Sequence, residues 1–133
     1  ELLIGDFNLP PYDDAMVRRS GLHASRTLPS VEERALLHDP HNFRLFNPTW
    51  ALLGKPDSPQ GSFFRQPSPD DEGPWFLPDQ ALMSPDLALP GEQQVWLIEH
   101  AGKAELCSPA PTRHPEKTTG SDHLPLRIVF QAR

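Results

Sequence analysis

Seventeen prolines are spread through 133 residues, and they limit every regular element this chain can build. Proline holds φ at about −65°, supplies no backbone N–H, and pushes its predecessor towards extended geometry. Helices and strands must therefore be short, with long connections between them. Hydrophobic residues make up 37% of the chain, enough for one domain with a core.

The apolar segments that remain suggest where the elements lie. Leu2-Leu3-Ile4 predicts a strand that enters the sheet without a polar leader, and since Glu1 rather than Met precedes it, the chain is expected to be cut from something longer. Gly5 offers a sharp exit, with Asp6 and Asn8 at the strand's end. Asp13-Asp14 predicts a capped short helix through Met16 and Val17 that stops near Gly21. Ser30 and Glu33 have capping-box spacing ahead of Ala35-Leu36-Leu37, which predicts a second. Further strands are expected around Leu45-Phe46, Gly61 to Arg65, Gln80 to Met83 and Val95 to Ile98, with a closing alternation at Leu124, Leu126, Ile128 and Phe130. The tracts 55–74 and 108–120 read as surface loops, and 1–133 as one unit of α/β class.

Several function classes are disfavoured. The net charge of −6 argues against holding duplex DNA by broad phosphate neutralisation, although a carboxylate metal site is compatible with it. No run approaches the roughly 20 apolar residues that span a bilayer. Cys107 stands alone, which rules out an internal disulfide and is compatible with a reducing compartment; the location stays open, with a cytoplasmic setting the favoured expectation. His38 and His41 are three apart, but Pro40 interrupts the helix that would align them as zinc ligands. No Gly-x-Ser-x-Gly elbow supports serine hydrolysis.

Two strings near opposite ends carry the chemistry: Gly5-Asp6-Phe7-Asn8 and Ser121-Asp122-His123. Metal-assisted attack of water on a phosphoester needs groups that hold an ion, orient water and neutralise phosphoryl charge, and two acids, an amide and an imidazole supply them. Each string alone is an ordinary Asx turn or exposed loop. Between them, in order, lie Asn47-Pro48-Thr49-Trp50, Gly61-Ser62-Phe63-Phe64 and Asp79-Gln80-Ala81-Leu82-Met83-Ser84, and Ser121 to Arg127 completes the set. The ordered set resembles the endonuclease/exonuclease/phosphatase superfamily, the group of DNase I and exonuclease III.

That resemblance spans the later half of the family's domain. It implies the C-terminal half of a four-layered α/β sandwich, two mainly antiparallel sheets flanked by helices. It also implies a Mg2+- or Mn2+-dependent nuclease or phosphatase acting on nucleic acid or a small phosphoester. By the same resemblance Asp6 orients and deprotonates water, Asn8 contacts phosphate, His123 stabilises the developing charge and Asp79 orients His123, with Asp6, Asp122 and His123 beside the metal. The family's early asparagine and metal-binding glutamate have no counterpart here, so an N-terminal half of the same domain is the expected partner. A non-catalytic interaction module that retains the fold is the alternative. Asn47, Trp50 and Trp75 match family positions too, but turn formation and packing explain them equally well.

Overall fold

A computed structural model describes every residue except 31, 34–43, 56–58, 66–68, 70–72, 93, 110–112 and 132–133. The main sheet has four strands, β1 (Leu2–Asp6), β2 (Ala24–Ser25), β3 (Leu45–Phe46) and β6 (Asp79–Met83), in the order β1-β6-β3-β2. Strands β1 and β6 are antiparallel from Leu2 opposite Met83 to Asp6 opposite Asp79, β3 is antiparallel to β6, and β2 is parallel to β3. Among the described residues three two-stranded sheets accompany it. They pair β4 (Phe63–Phe64) with β5 (Trp75–Phe76), β7 (Val95–Leu97) with β10 (Leu126–Ile128), and β8 (His100–Ala101) with β9 (Ala104–Glu105).

This architecture corrects the expected fold class. The chain folds mostly as small β-sheets rather than as half of a helix-flanked, four-layered α/β sandwich. Among the described residues, helix is confined to α1 (Asp14–Val17), the residues Glu32 and Glu33 and two 3₁₀ turns at Pro48–Leu52 and Pro85–Leu87. Nucleating a helix fixes several residues for one hydrogen bond, so elements this short gain little from propagation. Asp13 caps α1 as expected, accepting from Ala15 N–H at 2.8 Å, but the helix ends at Val17, before Gly21. Gly21 closes the following turn instead, packed so tightly against the Ala15 carbonyl that a Cβ would stand 2.1 Å from its oxygen.

The second capping box is formed: Ser30 N–H donates to Glu33 Oε2 at 2.8 Å and Glu33 N–H to Ser30 Oγ at 3.1 Å. The apolar face expected at Ala35-Leu36-Leu37 and the His38–His41 pair lie outside the described residues.

Among the described residues, buried apolar side chains include a cluster of Met16, Ala24, Leu45 and Leu82 and another of Leu52, Leu77 and Val95. Leu3, Phe7 and Leu9 pack on the first, Leu97 and Leu126 on the second. Strand β6 is buried from Gln80 to Met83, as its apolar run requires. A polar network crosses this interior: Asn47 Nδ2 donates to Gln80 Oε1 at 2.8 Å, and Gln80 Nε2 donates to the Leu9 carbonyl at 2.6 Å. Asn47 Oδ1 accepts from Thr49 N–H at 3.0 Å, and both residues are fully buried. Gln80 thereby ties the centre of the sheet to the segment that follows β1. Among the described residues no helix is long and apolar enough to cross a membrane.

Candidate functional site

The β1–β6 register brings the first acids together. Asp6 and Asp79 face each other on the last rung of the ladder, and directly opposed residues of an antiparallel pair project to the same side. Phe7 N–H continues the pairing to the Pro78 carbonyl at 2.9 Å while its ring packs on the Met16 cluster. Asp6 Oδ1 accepts from Asn8 N–H at 2.8 Å, which turns the chain, and Asn8 adopts a left-handed φ of 54° that asparagine tolerates better than most residues. Gly5 has open space around its α-carbon, so the exit from β1 is made by this Asx turn rather than by the glycine.

His123 reaches the same rung from the far end of the sequence. Its Nδ1 lies 2.6 Å from Asp79 Oδ2 across 44 residues, with both side chains largely buried. The backbone delivers it there: Leu124 N–H donates to the Ser62 carbonyl at 2.7 Å, and His123 forms an isolated antiparallel bridge with Phe63. The Phe63 ring lies 4.9 Å from the imidazole, tilted by 35°. Because an ionised carboxylate only accepts, the Nδ1–H donates to Asp79 and Nε2 is the ring nitrogen left to act. Such a pair can donate to, or take a proton from, a phosphoester oxygen.

Asp79 Oδ2 also accepts from the Ser62 hydroxyl at 2.5 Å. Gly61 makes that approach available, since a Cβ there would stand 2.1 Å from the Phe76 carbonyl oxygen. The adjoining hairpin is aromatic, with Phe64 edge-on to Trp75 at 5.2 Å and Arg65 above Phe76 at 4.0 Å.

Asp122 follows a different course. Its carboxylate pairs with Lys117 Nζ at 3.3 Å and accepts from the Ser121 hydroxyl at 3.4 Å. The Lys117 hydrogen bond, then the Asp122 backbone N–H, hold its carboxyl below the usual aspartate range. Among the described residues no group of three or more His, Cys, Asp or Glu side chains is arranged to hold a metal ion. Asp6, Asp122 and His123 therefore do not form a shell by themselves: Asp122 is engaged by Lys117, and His123 Nδ1 by Asp79. Magnesium requires several oxygen ligands in near-octahedral array.

Asn47 serves the buried network through Gln80, and Trp50 packs near Tyr12. Ser62 and Gln80 stand within the motifs quoted from the sequence but were assigned no role there. The available signal for Ser62 was a Gly-Ser pair of small residues, in a proline-rich tract, immediately before two aromatics. No family model matches the chain, and comparison with curated proteins and with solved structures finds no match.

Proposed function

We propose that this chain carries the acid–base part of a phosphoester hydrolase site, working with an N-terminal portion of the same domain. The observation that supports it is the Asp79–His123 hydrogen bond on the rung that also holds Asp6, drawn from three places far apart in sequence. The ordered motifs resembling the endonuclease/exonuclease/phosphatase superfamily support the same reading.

In this reading His123 Nε2 faces the phosphoryl group and, when protonated, donates to the oxygen on which charge develops. Asp79 holds the ring's tautomer. Asp6 accepts a proton from the attacking water and Asn8 donates its amide N–H to phosphate. Magnesium or manganese belongs to the proposal only with further oxygen ligands from the N-terminal portion, because the described residues of this chain do not complete a shell.

The test is turnover by the protein together with that portion, supplied with Mg2+ or Mn2+, on DNA, RNA, bis(4-nitrophenyl) phosphate and 4-nitrophenyl phosphate in parallel. His123→Ala should lower turnover at least about a hundredfold, on the order of 3 kcal/mol, and Asp6→Asn should be similarly severe. A folded, metal-loaded sample that is inactive on all four overturns the enzymatic reading. The second reading, a non-catalytic interaction module, is favoured by the engagement of Asp122 by Lys117. A module of that kind keeps its binding in His123→Ala.

A further inference from the structure

Ser62 is fully buried, and different parts of it bond Asp79 and the residue that follows His123. Its hydroxyl donates at 2.5 Å to Asp79 Oδ2, the same oxygen that takes the His123 Nδ1–H at 2.6 Å. Its carbonyl accepts from Leu124 N–H at 2.7 Å, on the segment that carries the imidazole. We propose that Ser62 is a positioning residue: it sets the rotation of the Asp79 carboxylate, and through that rotation the tautomer and orientation of His123. The proposal rests on His123 being the reactive group, but its test reads the ring and needs no turnover.

The physical reason is the softness of a carboxylate torsion. The terminal sp³–sp² torsion of aspartate is broad and roughly two-fold, so one hydrogen bond to histidine would let Asp79 swing or exchange its oxygens. Two donors converging on Oδ2 remove that freedom. A hydroxyl has a single hydrogen, and here it is committed to Asp79, so Oδ2 acts only as an acceptor and the imidazole keeps its proton on Nδ1. Gly61 and Phe63 complete the arrangement, Gly61 by letting the backbone lie against Phe76 and Phe63 by its bridge to His123.

The experiment is 1H–15N NMR of the full 133-residue chain labelled at histidine, as wild type, Ser62→Ala and Ser62→Thr. Wild type should show a single His123 tautomer protonated at Nδ1, with a slowly exchanging Nδ1 proton and a slowly exchanging Ser62 hydroxyl proton. In Ser62→Ala the Nδ1 proton should exchange about tenfold faster or more, with a measurable share of the Nε2–H tautomer, while the Leu124 amide stays protected because its acceptor is backbone. Ser62→Thr should restore the wild-type pattern. An unchanged tautomer and exchange rate in folded Ser62→Ala overturns the proposal. So does a wild-type Ser62 hydroxyl proton that exchanges at the solvent rate, a measurement that depends on no variant folding. Inactivity on every phosphoester would overturn the hydrolase reading and leave these spectra standing.

Discussion

Gly61→Ala tests how closely the site depends on one backbone contact. A Cβ at this position would stand 2.1 Å from the Phe76 carbonyl oxygen, 2.6 Å from its carbon and 2.9 Å from its nitrogen. Ordinary contact lies at roughly 3.5 Å, so β4 and β5 must separate by more than about 1 Å, and the obstacle is main chain rather than a side chain that can rotate away. Overpacking of this kind costs about 1–3 kcal/mol, and here the upper half of that range is expected because two strands must shift together. The same movement draws Ser62 away from Asp79 and Phe63 from His123, so the loss of stability should come with disturbed His123 resonances. Urea unfolding followed by tryptophan fluorescence measures the first effect and NMR the second. Gly5→Ala is the internal control: nothing lies within 4 Å of its Cβ position, and the change should be neutral or stabilise by up to about 1 kcal/mol. A Gly61→Ala protein as stable as wild type, with His123 undisturbed, would refute the contact argument.

Other outcomes follow from single contacts. Gln80→Leu strands the Asn47 amide and the Leu9 carbonyl in the interior, and it should cost about 2–5 kcal/mol in urea unfolding, with an unchanged m-value. Asp122 titrates below an ordinary aspartate because Lys117 stabilises its charged form. A depressed folded-state value means that its contribution to stability is present above the unfolded-state pKa and is lost as pH falls through the folded one, so Lys117→Met should raise the Asp122 midpoint seen by carboxyl-carbon NMR and flatten that acid dependence. Burial, then the Glu99 charge, push the Cys107 thiol up, so a thiol reagent at neutral pH should react with native protein far more slowly than with protein in urea. Met16→Ala empties a fully buried position and should cost about 2–5 kcal/mol by the same unfolding assay.

The apolar runs of β1, β6 and β7 could be read from the sequence because each is long enough, between prolines, to show a strand's character. So could the α1 cap, since Asp13 acts on its immediate neighbours. The helix-flanked sandwich came from the family resemblance and is overturned by the small β-sheets, while the helical signal at Asp13-Asp14 marks where a helix begins and says little about how far it runs. At Val17 the chain turns extended into a tight crossing at Gly21, which only tertiary contact dictates. The β8–β9 hairpin was missed because His100, Ala101, Ala104 and Glu105 are all exposed and leave no apolar alternation to find. Asp79 and His123 were identified as partners from the motifs around them. Ser62 was quoted within a motif, but its bond to Asp79, 17 residues along the chain, left no signal in the sequence.

The placement of Asp79 and His123 on elements of unequal depth has a kinetic consequence. Asp79 opens β6, which is buried from Gln80 onward, paired along its length with β1 and at Met83 with β3, so its amides should open with the β1–β6 ladder. His123 rides on a turn fixed to its surroundings by the Leu124 amide, the bridge to Phe63, the Asp122–Lys117 ion pair and its own ring. Local opening draws on the least supported segment, so the pair should part by residues 121–123 lifting away, hinged at the buried Leu124, from a carboxylate that stays where β6 holds it. Amide hydrogen exchange would then resolve two rates at one site, a fast one for the imidazole's segment and a slow one for its counterion's strand. The site would regenerate by a single short segment settling back onto a surface already formed.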